Sequence, residues 1–167
     1  MKLLINLRIV VFVVAALTVV SAPLPLSAQQ DVVFERSTLS IQTAVGTTLE
    51  FDVEIAGTAA QKSRGLMFRR EMADDAGMLF PYRRNQVVTM WMANTYLSLD
   101  MLFIEADGRI ARIEENTIPV SREVISSRTR VRGVLELKAG TARKLGIAVG
   151  DRVIHEHFQY GKARGFR

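Results

Sequence analysis

"SLDMLFIEADGRIARIEEN", residues 98–116, is two apolar alternating runs on either side of Asp107-Gly108. A two-residue period turns successive side chains to opposite faces, and a dipeptide that tolerates positive φ suits the tight turn between two such runs. The stretch therefore predicts a β-hairpin. Working outward, "LSIQT" (39–43) and "TLEFDVEIA" (48–56) alternate in the same way. Leu49, Phe51, Val53 and Ile55 are set against Glu50, Asp52 and Glu54, which gives one buried and one wet face. "GMLF" (77–80) reads as a short buried strand stopped by Pro81, and "QVVTMWM" (86–92), "VRGVLELK" (131–138) and "RVIHEHF" (152–158) read as further strands.

Only two helices are predicted. Thr58 with Gln61 three residues on is a capping-box pattern opening a helix over about 59–65, which Gly65 helps to end. "AGTARKLG" (139–146) is a turn or two of helix closed by Gly146. Short strands, frequent turns and two small helices predict one mainly β domain, an antiparallel sandwich or barrel.

The first residues read differently. Lys2 and Arg8 precede an apolar run, Ile9–Val20, followed by Pro23, Pro25 and Leu26-Ser27-Ala28. This is the layout of a secretory signal peptide, and the run is shorter than a spanning helix needs. Cleavage is expected after Ala28, with an uncleaved membrane anchor as the alternative. Residues 29–158 then form the domain and 159–167 a loose basic tail. The predicted location is the periplasm or the exterior, with membrane contact only through the signal segment if it is retained. Without it the formal charge falls from +5 to +3, since it holds two basic and no acidic residues. That excess is modest and interspersed with acids, which argues against a nucleic-acid partner. The chain has no cysteine, which excludes disulfides, thiolate chemistry and lipoprotein anchoring.

The blocks Arg64-Gly65-Leu66-Met67-Phe68-Arg69, Gly77-Met78-Leu79-Phe80, Met90-Trp91-Met92-x-Asn94-Thr95 and Leu99-Asp100-Met101-x-Phe103-Ile104 follow one another in a characteristic order. Pro119-Val120-Ser121, Val134-Leu135-Glu136-Leu137-x-Ala139-Gly140 and Leu145-Gly146-Ile147-x-x-Gly150-Asp151 continue the series. Together they resemble the domain of unknown function 192 family over about 45–157. The resemblance implies a compact, sandwich-like, mainly β fold that is often exported in bacteria, and it implies no activity. Ser98 departs from the family pattern, which usually has proline there.

Candidate functional residues cluster in 88–103. Asp100 lies among Leu99, Met101, Leu102 and Phe103, and alternation puts it on one face with Leu102 and Ile104. A buried carboxylate must find partners or take up a proton. The Asn94-Thr95 turn and the Arg64 guanidinium are the expected donors. Two readings follow: a turn clamp of Asn94, Thr95 and Asp100, or a binding site in which Arg64, Asn94, Thr95 and Asp100 hold a polar ligand beside Trp91. Six of the seven methionines fall between Met67 and Met101. Core packing against Phe68, Phe80 and Phe103 accounts for them, whereas Met90-x-Met92 could serve as a soft Cu(I) ligand pair. His155 and His157 share a face of the last predicted strand. They are a solvated pair unless a third ligand completes a metal site. Asp100 with Glu136 could form the carboxylate pair of a hydrolase, although Glu136 could equally lie on a wet face. No nucleophile motif, metal motif or phosphate loop occurs, and no cofactor is expected. The leading expectation is a non-enzymatic exported domain that binds a small polar ligand or a cell-envelope partner.

Overall fold

The hairpin forms where it was expected, and in the computed structural model, which describes residues 32–158, it is one corner of a seven-stranded sheet. The signal-peptide and tail expectations, residues 1–28 and 159–167, lie outside the described residues. The strands are β1 (Glu35–Gln42), β2 (Thr48–Ile55), β3 (Ala76–Met90), β4 (Leu99–Ile104), β5 (Ile110–Glu114), β6 (Ile125–Lys138) and β7 (Arg152–Ile154). Helix α1 (Ala59–Arg64) follows β2, and α2 (Thr141–Leu145) follows β6. The sheet order is β5-β4-β6-β3-β2-β1-β7, antiparallel throughout except for the parallel β2–β3 pair. The Ile110 and Val153 amides donate to Asp151 and Gly108 carbonyls at 2.8 Å each, and Arg109 bridges to Arg152. These bonds join β5 to β7 and nearly close the sheet into a barrel. The mainly β fold with two short helices is as predicted.

Local chemistry explains most element boundaries. Thr58 accepts from the Gln61 amide at 3.2 Å, and the Gln61 side chain accepts from the Thr58 amide at 2.8 Å, so the expected capping box is present. The hairpin turn uses positive φ only at Gly108 (88°). Gly108 donates to the Glu105 carbonyl, and Asp107 accepts from the Arg109 amide. With Glu105 paired to Arg109, this is a three-residue loop, 106–108, ending in a left-handed glycine, one residue longer than a two-residue Asp-Gly turn.

Two boundaries differ from the sequence reading. Pro81 does not stop a strand: "GMLF" and "QVVTM" (86–90) belong to a single β3, which ends before Trp91 and Met92. The register against β6 slips between Pro81 and Gln86, and this irregularity accommodates the missing amide. Strand β7 ends at Ile154, so His155 and His157 are not on a strand.

The sheet carries apolar side chains on both faces of β3, β4 and β6. Inside the barrel, Leu39, Ile41, Phe51, Leu79, Leu102, Ile104, Leu135 and Leu137 form one core. Outside it, Met78, Phe80, Met101, Phe103, Val131 and Val134 form a second core with Leu66 and Met92. The chain after α1 and the segment after β3 supply those last two residues and so cover the outer face.

Candidate functional site

Asp100 is the acid that the sequence places among apolar residues. Its cross-strand partner is Leu137, an inner-core residue, so the carboxylate faces the barrel interior and is fully buried. One oxygen accepts from the Asn116 amide and the other from the Ala142 amide, both at 2.9 Å. Ala142 lies in the first turn of α2, whose free amides welcome a carboxylate. Asp100 is therefore a clamp that ties the segment after β5 and the start of α2 to the start of β4. The clamp of Asn94, Thr95 and Asp100 does not form; Asp100 ties the chain through the Asn116 and Ala142 amides instead. Neither Arg64 nor the Asn94-Thr95 turn reaches Asp100. Asn94 turns the chain at φ 57°, a conformation asparagine tolerates, and its carbonyl accepts from the Phe68 amide. Thr95 is buried and donates to the Ala93 carbonyl. Ser98, in place of the family's proline, donates to the Thr117 carbonyl at 2.7 Å, so a hydrogen bond fixes this position.

Glu136 is the residue the sequence reading undervalued. It pairs with Met101 on β4 and Met78 on β3, so it sits in one row between two thioethers on the outer face. It is 4% exposed. Asp100 and Glu136 consequently project from opposite faces of the sheet, and the carboxylate pair proposed for a hydrolase does not exist. No side chain donates to Glu136 among the described residues, and burial alone pushes its carboxyl up to about 8. A carboxyl with that value is mostly protonated at neutral pH. It is a neutral acid that can both donate and accept.

Glu136 lines a cleft of about 200 Å³. Helix α1 and its exit contribute Lys62, Ser63, Arg64, Gly65 and Met67; β3 and its exit contribute Tyr82, Met90, Trp91 and Thr95. The walls are mixed, with Phe80, Met67 and Met90 as apolar surface. Gly65 permits the close wall: a Cβ there would sit 3.3 Å from the Phe80 ring, at φ 45°. Lys62 donates to the Gly57 carbonyl at 2.6 Å, and its ammonium lies 5.4 Å from the centre of the Tyr82 ring. Burial lowers the Lys62 pKa. Burial, and then the Glu136 charge, push the Tyr82 phenol up to about 12. Arg64 stacks over the Phe68 ring at 4.8 Å and makes no ion pair among the described residues. The cleft thus joins a neutral acid to two cations.

Of the five residues expected at a binding site, the structure brings Arg64, Trp91 and Thr95 to one cleft and leaves Asn94 and Asp100 out of it. The paired thioethers do not meet a common cavity either: Met90 lines the cleft while Met92 is buried in the outer core. The histidines are engaged rather than solvated. His155 is buried with Nε2 3.1 Å from the Ser37 hydroxyl, and His157 Nε2 is 2.9 Å from the Arg132 carbonyl. Burial lowers both pKa values.

Comparison with known proteins agrees with this architecture. The model of the domain of unknown function 192 family (uncharacterised ACR) matches residues 40–155. No curated protein matches the chain. A crystal structure from Sinorhizobium meliloti 1021, provisionally described as a transcription regulator, is 46% identical with a TM-score of 0.75. The match covers 77% of this chain and 99% of that one. A protein of unknown function from Novosphingobium aromaticivorans is 32% identical with a TM-score of 0.70, over 80% of this chain and 91% of that one.

Proposed function

The chain belongs to the domain of unknown function 192 family, and from there we propose that it is an exported binding domain whose ligand is a small organic acid anion held in the Glu136 cleft. The observation that supports this is Glu136 itself: a buried acid with no partner, lining a cleft that also holds Lys62 and Arg64. The Glu136 carboxyl, unpaired among the described residues, opens onto this cleft, where a ligand group can meet it. A ligand carboxylate would accept the Glu136 proton in a short hydrogen bond, and the two cations would balance its charge. A ligand ammonium would meet Lys62 and Arg64 as like charges. A volume of about 200 Å³ suits a small ligand, with Trp91 and Met90 as its apolar contacts. The regulator description of the Sinorhizobium relative adds no DNA-reading helix here: α1 has six residues and α2 five among the described residues.

Trp91 is the only tryptophan and lines this cleft, so its indole NMR signal reports ligand binding there. Acetate is expected to shift that signal, and the protonated fraction of Glu136 makes affinity fall about tenfold between pH 7 and pH 9. Methylammonium binding that tightens over the same range would overturn the proposal, as would the absence of any acetate effect.

A further inference from the structure

Three segments are stitched together around the mouth of the cleft. The Phe68 amide donates to Asn94, the Met92 amide to Ser121 and the Val120 amide to Thr95, at 2.8, 3.1 and 3.0 Å. They cover the outer core, yet they also turn large apolar side chains to water: Phe68, Trp91, Tyr96, Ile118, Val120 and Val124. Ile118 is 67% exposed, Val124 66% and Trp91 56%. A clustered apolar surface of this kind marks an interaction site.

Phe68 gives a second indication. It holds φ 68°, a left-handed conformation unfavourable for a bulky side chain, and the conformation leaves its ring exposed between Arg64 and Tyr96. Strain of this sort persists where a side chain is held out for use.

We infer that this face rests on the surface of an anionic phospholipid bilayer, with its apolar side chains in the headgroup region and its arginines on lipid phosphates. Charge favours that partner. Arg64 and Arg70 lie over the Phe68 and Tyr96 rings and Arg122 is exposed, and none of the three has a carboxylate partner among the described residues. The acids on these segments are Glu71 and Glu123, both exposed, while Arg69 is committed to Glu54. Aromatic side chains with arginines beside them are the combination favoured at the membrane–water boundary.

Residues 29–167 contain every strand and both cores described, and they suffice for the test. They are mixed with vesicles of phosphatidylcholine, with and without phosphatidylglycerol, while sedimentation and Trp91 emission are followed. The expected result is co-sedimentation with the anionic vesicles and a blue shift. Arg70→Gln and Arg122→Gln should each weaken partition roughly fivefold, and Ile118, Val120 and Val124→Ser together should abolish the shift. Absence of binding at low salt would overturn the inference, and so would concentration-dependent self-association that hides the face without vesicles. Binding that survives the serine substitutions would overturn it as well, because charge alone would then account for it.

Discussion

Glu136→Gln is the substitution on which the reading of the cleft depends. An acid whose native value is raised holds in the folded state a proton that the unfolded chain has lost. Its contribution to stability is therefore complete below the unfolded value of 4.5 and declines as pH rises toward the folded value of about 8, beyond which the loss is constant. From 4.5 to pH 7 is about two and a half units, each about 1.4 kcal/mol, so wild type loses about 3 kcal/mol by neutrality, as an upper bound. Glutamine has nearly the same shape and no proton to lose. The variant should therefore exceed wild type by up to about 3 kcal/mol at pH 7, with the gap closing toward about pH 5 and widening toward about pH 8. Urea denaturation followed by Trp91 fluorescence across that range measures the difference directly, and other titrating groups cancel between the two proteins. A gap that does not vary with pH, or a variant less stable throughout, would show that Glu136 is a paired carboxylate and would refute the reasoning. Acetate binding should weaken in the stabilised variant, because the amide cannot supply the acid proton.

Two further substitutions test the framework that positions the cleft. Asp100→Ala removes two charge-assisted hydrogen bonds and strands the amides of Asn116 and Ala142, which should cost about 3–5 kcal/mol in urea denaturation. A loss under about 1 kcal/mol would mean that those amides have other partners. Thr58→Ala opens the capping box of the helix that carries Lys62 and Arg64, with an expected cost of about 1 kcal/mol in thermal unfolding, and an unchanged midpoint would rule the cap out as a source of stability.

Features set by neighbouring residues were legible in the sequence: the capping box at Thr58, the 98–116 hairpin, the left-handed Gly146, and the placing of Asp100 with Leu102 and Ile104. What escaped was set by distant residues. The partners of Asp100 are backbone amides 16 and 42 positions away, and an amide carries no mark in a sequence. Pro81 looked terminal because a proline lacks a donor; only the slip in register against β6 shows how the strand continues. Glu136 was open to either reading because "VLELK" alternates. One signal was present nonetheless: Gly133-Val134-Leu135 and Leu137 leave apolar residues on both faces of β6, as in a strand buried on both sides.

Asp100 and Glu136 lie on adjacent strands, one pairing step apart, yet the same physics gives them opposite roles. Each is an acid inside a double-sided core, and each must be neutralised or satisfied. Asp100 has two amides at 2.9 Å, one for each oxygen, and nothing remains for it to bind; it is architecture. Glu136 has methionines on both sides, which donate nothing, so burial favours its protonated form, and a protonated acid beside a cleft keeps a donor in reserve. A methionine row is a sensible setting for this. Thioethers fill volume and exclude water without hydrogen-bonding the carboxyl, whereas serine or asparagine at Met78 or Met101 would satisfy it and end its availability. The methionine-rich stretch and the buried acid are thus parts of one arrangement. In it the outer core supplies the dry environment that holds Glu136 neutral, and the loops over that core supply the cations and the tryptophan.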